Sequence, residues 1–256
     1  MRRYLFVLGL AIVFAAGGFT SYRYIRSYLH DEREMEERRN IELAINAVPV
    51  QPNLPFALII GDSISVSYTL PVKLQLEGVV NVMRPMENCS STLTIRENLD
   101  RWLGQTKWTV IHFNAGLHDL EHVRQENAAP GTQKMVPINK GPRWISLESY
   151  RANLENIVKR LKQTNATLIF ATTTPVPVGE KNRAPEDVTL YNQAAIAVMR
   201  ENGVLIDDLY SVAVRSADRF QIPQDVHYLE AGSRILAEQV AASIKAALPF
   251  QPSPGQ

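Results

Sequence analysis

Leu58-Ile59-Ile60-Gly61-Asp62-Ser63 is a short apolar run that stops at a glycine and delivers a serine just beyond it. A strand that ends in this way presents its hydroxyl at the edge of a sheet, where a ligand can reach it. On either side of this stretch the sequence alternates. Apolar β-type runs occur at Phe56–Ile60, Val79–Met83, Trp108–Phe113, Thr167–Ala171 and Val204–Ile206. Helical periodicity occupies Thr92–Leu103, Leu147–Thr164, Val188–Asn202 and Glu230–Ala247. Strands that are continuously apolar and alternate with helices form a mostly parallel sheet covered on both faces.

The expected architecture is α/β: a flavodoxin-like three-layer α/β/α sandwich on a mostly parallel five-stranded sheet, preceded by an N-terminal membrane helix. In such sheets working residues gather at the carboxyl ends of the strands. Ser63, the Gly116 region and the turn Thr172-Thr173-Thr174-Pro175 each follow a strand and are expected on one rim. The stretch Asn127 to Trp144, rich in proline, glycine and polar residues, is expected to be a long loop at that rim.

Composition narrows the choice of function. An apolar share of 45% and a charged share of 21% are ordinary for a globular protein, and a net charge of +1 argues against a dedicated nucleic-acid binder. The one cysteine, Cys89, has no partner for an intramolecular disulfide and no companions at metal-ligand spacing. A small buried thiol is its expected fate. His112 is expected in the core, His122 on the surface and His30 in a spacer.

Arg2 and Arg3 precede an uncharged, mostly apolar run from Tyr4 to Tyr22. About 19 apolar residues suffice to cross the hydrocarbon layer. Residues 1–22 therefore read as an uncleaved signal anchor, with a cleaved signal peptide as the alternative. The charged run that follows reads as a spacer helix and linker over 23–53, the main domain spans 54–248, and 249–256 forms a disordered tail. Anchorage in a cell membrane with the main domain outside the cytoplasm is expected, or a secreted or periplasmic protein if the signal is cleaved.

Near the other end of the chain, Asp225-Val226-His227 stands just before a helix that opens at Glu230. An unassisted hydroxyl is a poor nucleophile, and a histidine base oriented by a carboxylate remedies that. Ser63, His227 and Asp225 thus suit acyl transfer through a serine. Two of them have a structural alternative: Ser63 as a helix cap and His227 as a surface residue capping the last helix. Asp62 is read as structural, holding the serine turn through backbone hydrogen bonds.

These segments together resemble the SGNH or GDSL hydrolases, a family of esterases and lipases. Gly61-Asp62-Ser63 resembles the family's first block, Gly116-Leu117-His118-Asp119 its third and Asp225-Val226-His227 its last. The resemblance covers Leu54 to Leu248. It implies Ser63 as nucleophile, His227 as base and an oxyanion hole built from the Ser63 N–H, a second-block residue and a third-block side chain. The chain departs from the pattern in three places. The acid usually stands three residues before the histidine, where this chain has Gln224, so Asp225 is expected to orient the ring instead. His118 occupies the position of the third block's asparagine, as an oxyanion donor or as a satisfied structural polar group, and Asn114 is a further candidate donor. The second block's glycine is absent from Asn88-Cys89-Ser90-Ser91, so Ser90 is assigned by position.

The expected activity is hydrolysis of an ester through an acyl-enzyme on Ser63. A small O-acyl, such as acetyl, group on a carbohydrate is the first substrate guess that the resemblance implies. No cofactor or metal is called for, and the partners expected are a small-molecule or glycan ester and, through the N-terminal helix, a membrane. The alternatives are an O-acyltransferase on the same scaffold and an inactive binding module.

Overall fold

The computed structural model describes residues 39–41, 43–125 and 133–249. Both the N-terminal segment 1–22 and the tail 250–256 lie outside them. Among the described residues, no helix is long and apolar enough to cross a membrane. The chain divides into two units at Ala47/Val48. In the first, residues 39–41 and 43–47 are helical. The second holds the sheet, and the segment expected as linker is tied into it: Gln51 and Asn81 exchange hydrogen bonds of 2.8 Å in both directions.

The sheet has five parallel strands, β1 (Phe56–Ile60), β2 (Asn81–Met83), β3 (Val110–Phe113), β6 (Thr167–Ala171) and β7 (Leu205–Asp207), in the order β2-β1-β3-β6-β7. Ala57 to Ile60 and Val110 to Phe113 are buried along their whole length, as strands covered on both faces must be. Strand order reverses direction between β1 and β3, paired from Ala57↔Val110 to Ile60↔Phe113. The crevice outside the carboxyl ends of those two strands is where this topology places its ligands.

Helices α2 (Thr92–Leu103), α3 (Leu147–Lys162) and α4 (Pro185–Glu201) pack consecutively, while α1 (Ser63–Gln75) packs against α7 (Glu230–Ala247). Short helices α5 (Leu209–Val214) and α6 (Ala217–Phe220) lie beside α7. The three-layer parallel sandwich is therefore as expected, and α7 has the bounds that its periodicity indicated. Other elements are not. Helix α1, with Pro71 in its interior, carries no clean amphipathic signal. The expected long loop contains strand β5 (Gln133–Met135), paired antiparallel with β4 (Val123–Gln125), and a 3-10 turn at Ile138–Lys140. Strands β2, β3 and β7 also begin one or two residues later than expected, after the chain has entered the sheet.

Candidate active site

β1 ends in the turn that carries the serine. Gly61 leaves no room for a side chain: a Cβ there would come to 3.0 Å from Ser65. Asp62 then caps α1, its Oδ1 accepting the Ile64 N–H at 3.0 Å. Asp62 is buried and structural, as its position in the turn indicated. Ser63 becomes the first residue of α1, at the helix end where free N–H groups and the macrodipole favour negative charge.

His227 comes from the loop between α6 and α7. Ile222 N–H donates to the His227 carbonyl (2.9 Å) and Leu229 N–H to that of Phe220 (2.8 Å), so the loop is held by its own backbone. Ser63 Oγ lies 2.8 Å from His227 Nε2. On the other side of the ring, Nδ1 is 2.6 Å from Asp225 Oδ1, which also accepts the His227 backbone N–H at 2.9 Å. The carboxylate only accepts, so Nδ1 carries the proton and Nε2 is left to accept from the serine hydroxyl. The hydrogen bond from His227 holds the Asp225 carboxyl below the usual carboxylate range, against partial burial. Gln224, at the usual acid position, adopts a left-handed φ of 61° and lies over Gly179. The acid two residues before the histidine is the one that meets the ring.

Two of the expected oxyanion donors have hydrogen-bond partners within the fold. Asn114 donates from its amide to the Ala171 carbonyl at 2.8 Å, joining the ends of β3 and β6. Ser90 has the left-handed φ of 55° that glycine would adopt without strain, but its N–H donates to Asn88 Oδ1 at 2.9 Å. His118 remains, in the turn after β3. Its Nδ1 lies 3.1 Å from Glu121 Oε1, and its Nε2 has no hydrogen-bond partner among the described residues.

Glu121 was not singled out from the sequence. It pairs with the buried Arg183, whose Nε donates to the Leu117 carbonyl at 2.7 Å and whose guanidinium also meets Glu180. Arg183 thus ties the His118 turn to the segment before α4. A spacing of three between His118 and Glu121 is the only local hint of this cluster, since Arg183 is 62 residues further on.

Asp119 fixes the same turn from below. Fully buried, it accepts the Thr92 N–H on both oxygens at 3.1 Å, as well as the Thr92 hydroxyl, and so satisfies the first N–H of α2, whose cap is Ser91. Burial pushes its carboxyl up to about 7, outweighing the hydrogen bonds from Thr92 that lower it. The folded state therefore keeps this proton at a pH where the unfolded chain has released it, and stability falls as pH rises from the ordinary carboxylate range towards about 7. Asp119→Asn is expected to flatten that slope in thermal melts. Equal pH slopes in the two proteins would remove Asp119 as its source.

The remaining candidates are structural. His112 is buried with Nε2 3.0 Å from Asp207 Oδ2. His122, expected on the surface, is buried and donates from Nδ1 to the Gly141 carbonyl at 2.7 Å. Burial pushes the Cys89 thiol up to about 12, which leaves it a poor nucleophile.

A groove of about 390 Å³ opens beside Glu121, between the start of α2 and the β4–β5 hairpin. Leu93, Thr94, Glu97, Val123, Met135 and Trp144 are among the residues that line it.

A serine, an imidazole and a carboxylate in one hydrogen-bonded chain, at the switch point of a parallel sheet, define the site as one of serine-hydrolase type. The chain belongs to the GDSL-like lipase/acylhydrolase family, whose model matches residues 59–235. It is an enzyme of the SGNH/GDSL hydrolase type. Solved structures share the fold. A lipase/acylhydrolase from Enterococcus faecalis aligns with a TM-score of 0.61 at 17% identity, over 78% of this chain and 100% of that one. An acetylxylan esterase from Geobacillus stearothermophilus aligns at 0.57 and 16%, over 74% and 94%. A GDSL-like lipase from Bacteroides thetaiotaomicron aligns at 0.57 and 15%, over 82% and 98%. No curated protein matches the sequence at a significant level.

Proposed function

We propose that this protein is a carboxylic ester hydrolase that removes a small O-acyl group, such as acetyl, from a carbohydrate. The observation that carries the hydrolytic part is the chain Ser63 Oγ, His227 Nε2, His227 Nδ1, Asp225 Oδ1, with links of 2.8 and 2.6 Å. In this reading Ser63 attacks the acyl carbon while His227 takes its proton. The tetrahedral oxyanion is met by the Ser63 N–H at the start of α1 and by His118. His227 returns the proton to the departing sugar alkoxide, and water repeats the sequence on the acyl-enzyme. One well-placed oxyanion donor is typically worth ~2.7–4 kcal/mol of barrier.

The carbohydrate part rests on the groove beside Glu121. Its Trp144 offers a flat apolar face and Thr94, Glu97 and Glu121 offer hydrogen-bonding groups, the combination that a sugar ring needs. Acetylxylan esterases among the structural neighbours favour the same substrate class. We also propose that the apolar segment at residues 4–22 exports and anchors the protein, with the catalytic domain outside the cytoplasm.

A fluorophosphonate probe on the full-length protein, followed by peptide mapping, tests the first part. Labelling confined to Ser63 is expected, with free acetate released from an acetylated xylo-oligosaccharide. Failure to label the folded protein would overturn the hydrolase reading. Transfer of acetyl to a second glycan without free acetate would identify a transferase instead.

A further inference from the structure

We infer that His118 serves the oxyanion as an imidazolium, and that Glu121, held by Arg183, is the positioning residue that keeps both ring nitrogens protonated. This deepens the hydrolase reading of Ser63 and rests on it. The argument starts from hydrogen-bond inventory. A neutral imidazole owns one N–H. Glu121 is ion-paired with the Arg183 guanidinium and lies 3.1 Å from His118 Nδ1. A carboxylate so paired only accepts, so Nδ1 must be the nitrogen that carries hydrogen. In the neutral ring this leaves Nε2 as a bare lone pair, which repels a developing oxyanion. Only the cation donates from Nε2. The asparagine usual at this position has an amide N–H at any pH, so the exchange to histidine makes the donor conditional on charge.

The surroundings favour that charge. From its own turn comes Glu121, and from the β1–α1 turn comes Asp62. Asp119, in the same turn as His118, is pushed up by burial to about 7 and adds charge only above that. Arg183, from the segment before α4, opposes it, but spends its charge on Glu121 and Glu180. Burial works against the cation, yet the hydrogen bond and charge of Glu121, with Asp62 behind, outweigh it and hold His118 above the usual histidine range.

A consequence follows for the two histidines. His227 must be neutral to accept the serine proton, whereas His118 must be charged to donate, so the two rings are needed in opposite states. Raising the pH through the titration of His118 turns a donor into an acceptor and lowers the rate. The alkaline limb of the pH–rate profile therefore belongs to His118, and Glu121 sets how far it extends.

The test is kcat/KM for a p-nitrophenyl acetate probe with full-length protein, from mildly acid pH to about pH 10. His118→Asn is expected to remove the alkaline limb and keep the acid one. Glu121→Gln is expected to move the alkaline limb down by about one pH unit or more. In the His118→Asn background the same change should leave the shape of the profile unaltered. An alkaline limb that persists in His118→Asn, or stays in place in Glu121→Gln, would overturn the inference. Because Glu121→Gln removes one of the two carboxylates paired with a buried arginine and could unfold the protein, a second readout uses Ser63→Ala. In that protein the ¹⁵N resonances of His118 should show both ring nitrogens protonated at every pH below the alkaline limb of the active enzyme. A neutral Nδ1–H ring there would equally overturn the inference. Loss of fluorophosphonate labelling at Ser63 would instead count against the hydrolase reading, since the resonances report on His118 without turnover.

Discussion

Replacing Ser63 with alanine is expected to lower ester turnover by about 10⁴–10⁶-fold, and His227→Ala by a similar factor. The double variant should be no worse than either single one, because nucleophile and base act as one unit and the loss of either abolishes the covalent route. The fold should survive both changes. Helix α1 is capped by Asp62, not by Ser63. The loop bearing His227 is held by backbone hydrogen bonds at Ile222, Asp225 and Leu229 that do not involve the ring. Stability changes within roughly 0.5 kcal/mol are therefore expected, as for substitutions outside the packed core. Steady-state hydrolysis of an acetyl ester, paired with thermal melts, checks both halves. A Ser63→Ala protein within tenfold of wild type would remove Ser63 from the mechanism.

What the sequence reveals of this site follows the range of each interaction. Ser63 is legible because a buried strand, a glycine and a serine are consecutive, and the geometry of that turn is local. Asp225 and His227 are legible for the same reason, being two residues apart in one loop. The partners of Asn114 and Ser90 are not legible in the sequence. Their orientation is decided by the Ala171 carbonyl, 57 residues away for Asn114, and by the Asn88 side chain for Ser90. Arg183 gave no signal at all, since a lone arginine before a helix is ordinary, and its meaning comes from Leu117 and Glu121 across the fold. The fold shows the same division. Helix α7 has regular apolar spacing and was read with its full bounds, whereas α1 has a proline inside and polar residues on its buried side, among them Ser65 and Thr69. The strands Val123–Gln125 and Gln133–Met135 are short and carry charge, so no alternation marks them.

The displaced acid makes the second large prediction. Asp225→Asn is expected to reduce turnover by about 10³–10⁴-fold with little change in substrate binding. An amide at this position can donate as well as accept, which permits the ring to hold its proton on Nε2, where it cannot take one from Ser63. Geometry explains why the acid works from two residues before the histidine. A single oxygen, Oδ1, accepts both the backbone N–H and the Nδ1–H of His227, closing a compact turn in which ring and backbone share one anchor. The hydrogen bond from His227 keeps this carboxyl ionised below the usual carboxylate range, so the orienting contact should be lost only as pH falls through that lowered value. Restoring an acid at the usual position should not compensate. In Asp225→Asn, the further change Gln224→Asp is expected to recover less than tenfold, because residue 224 has a left-handed backbone and its side chain lies over Gly179. Measured kcat values for wild type, Asp225→Asn and the double variant decide the matter. Recovery to near wild-type rate would mean that the loop readily adopts the other register, and that the observed pairing of Asp225 with His227 is one of two equivalent ways to orient the base.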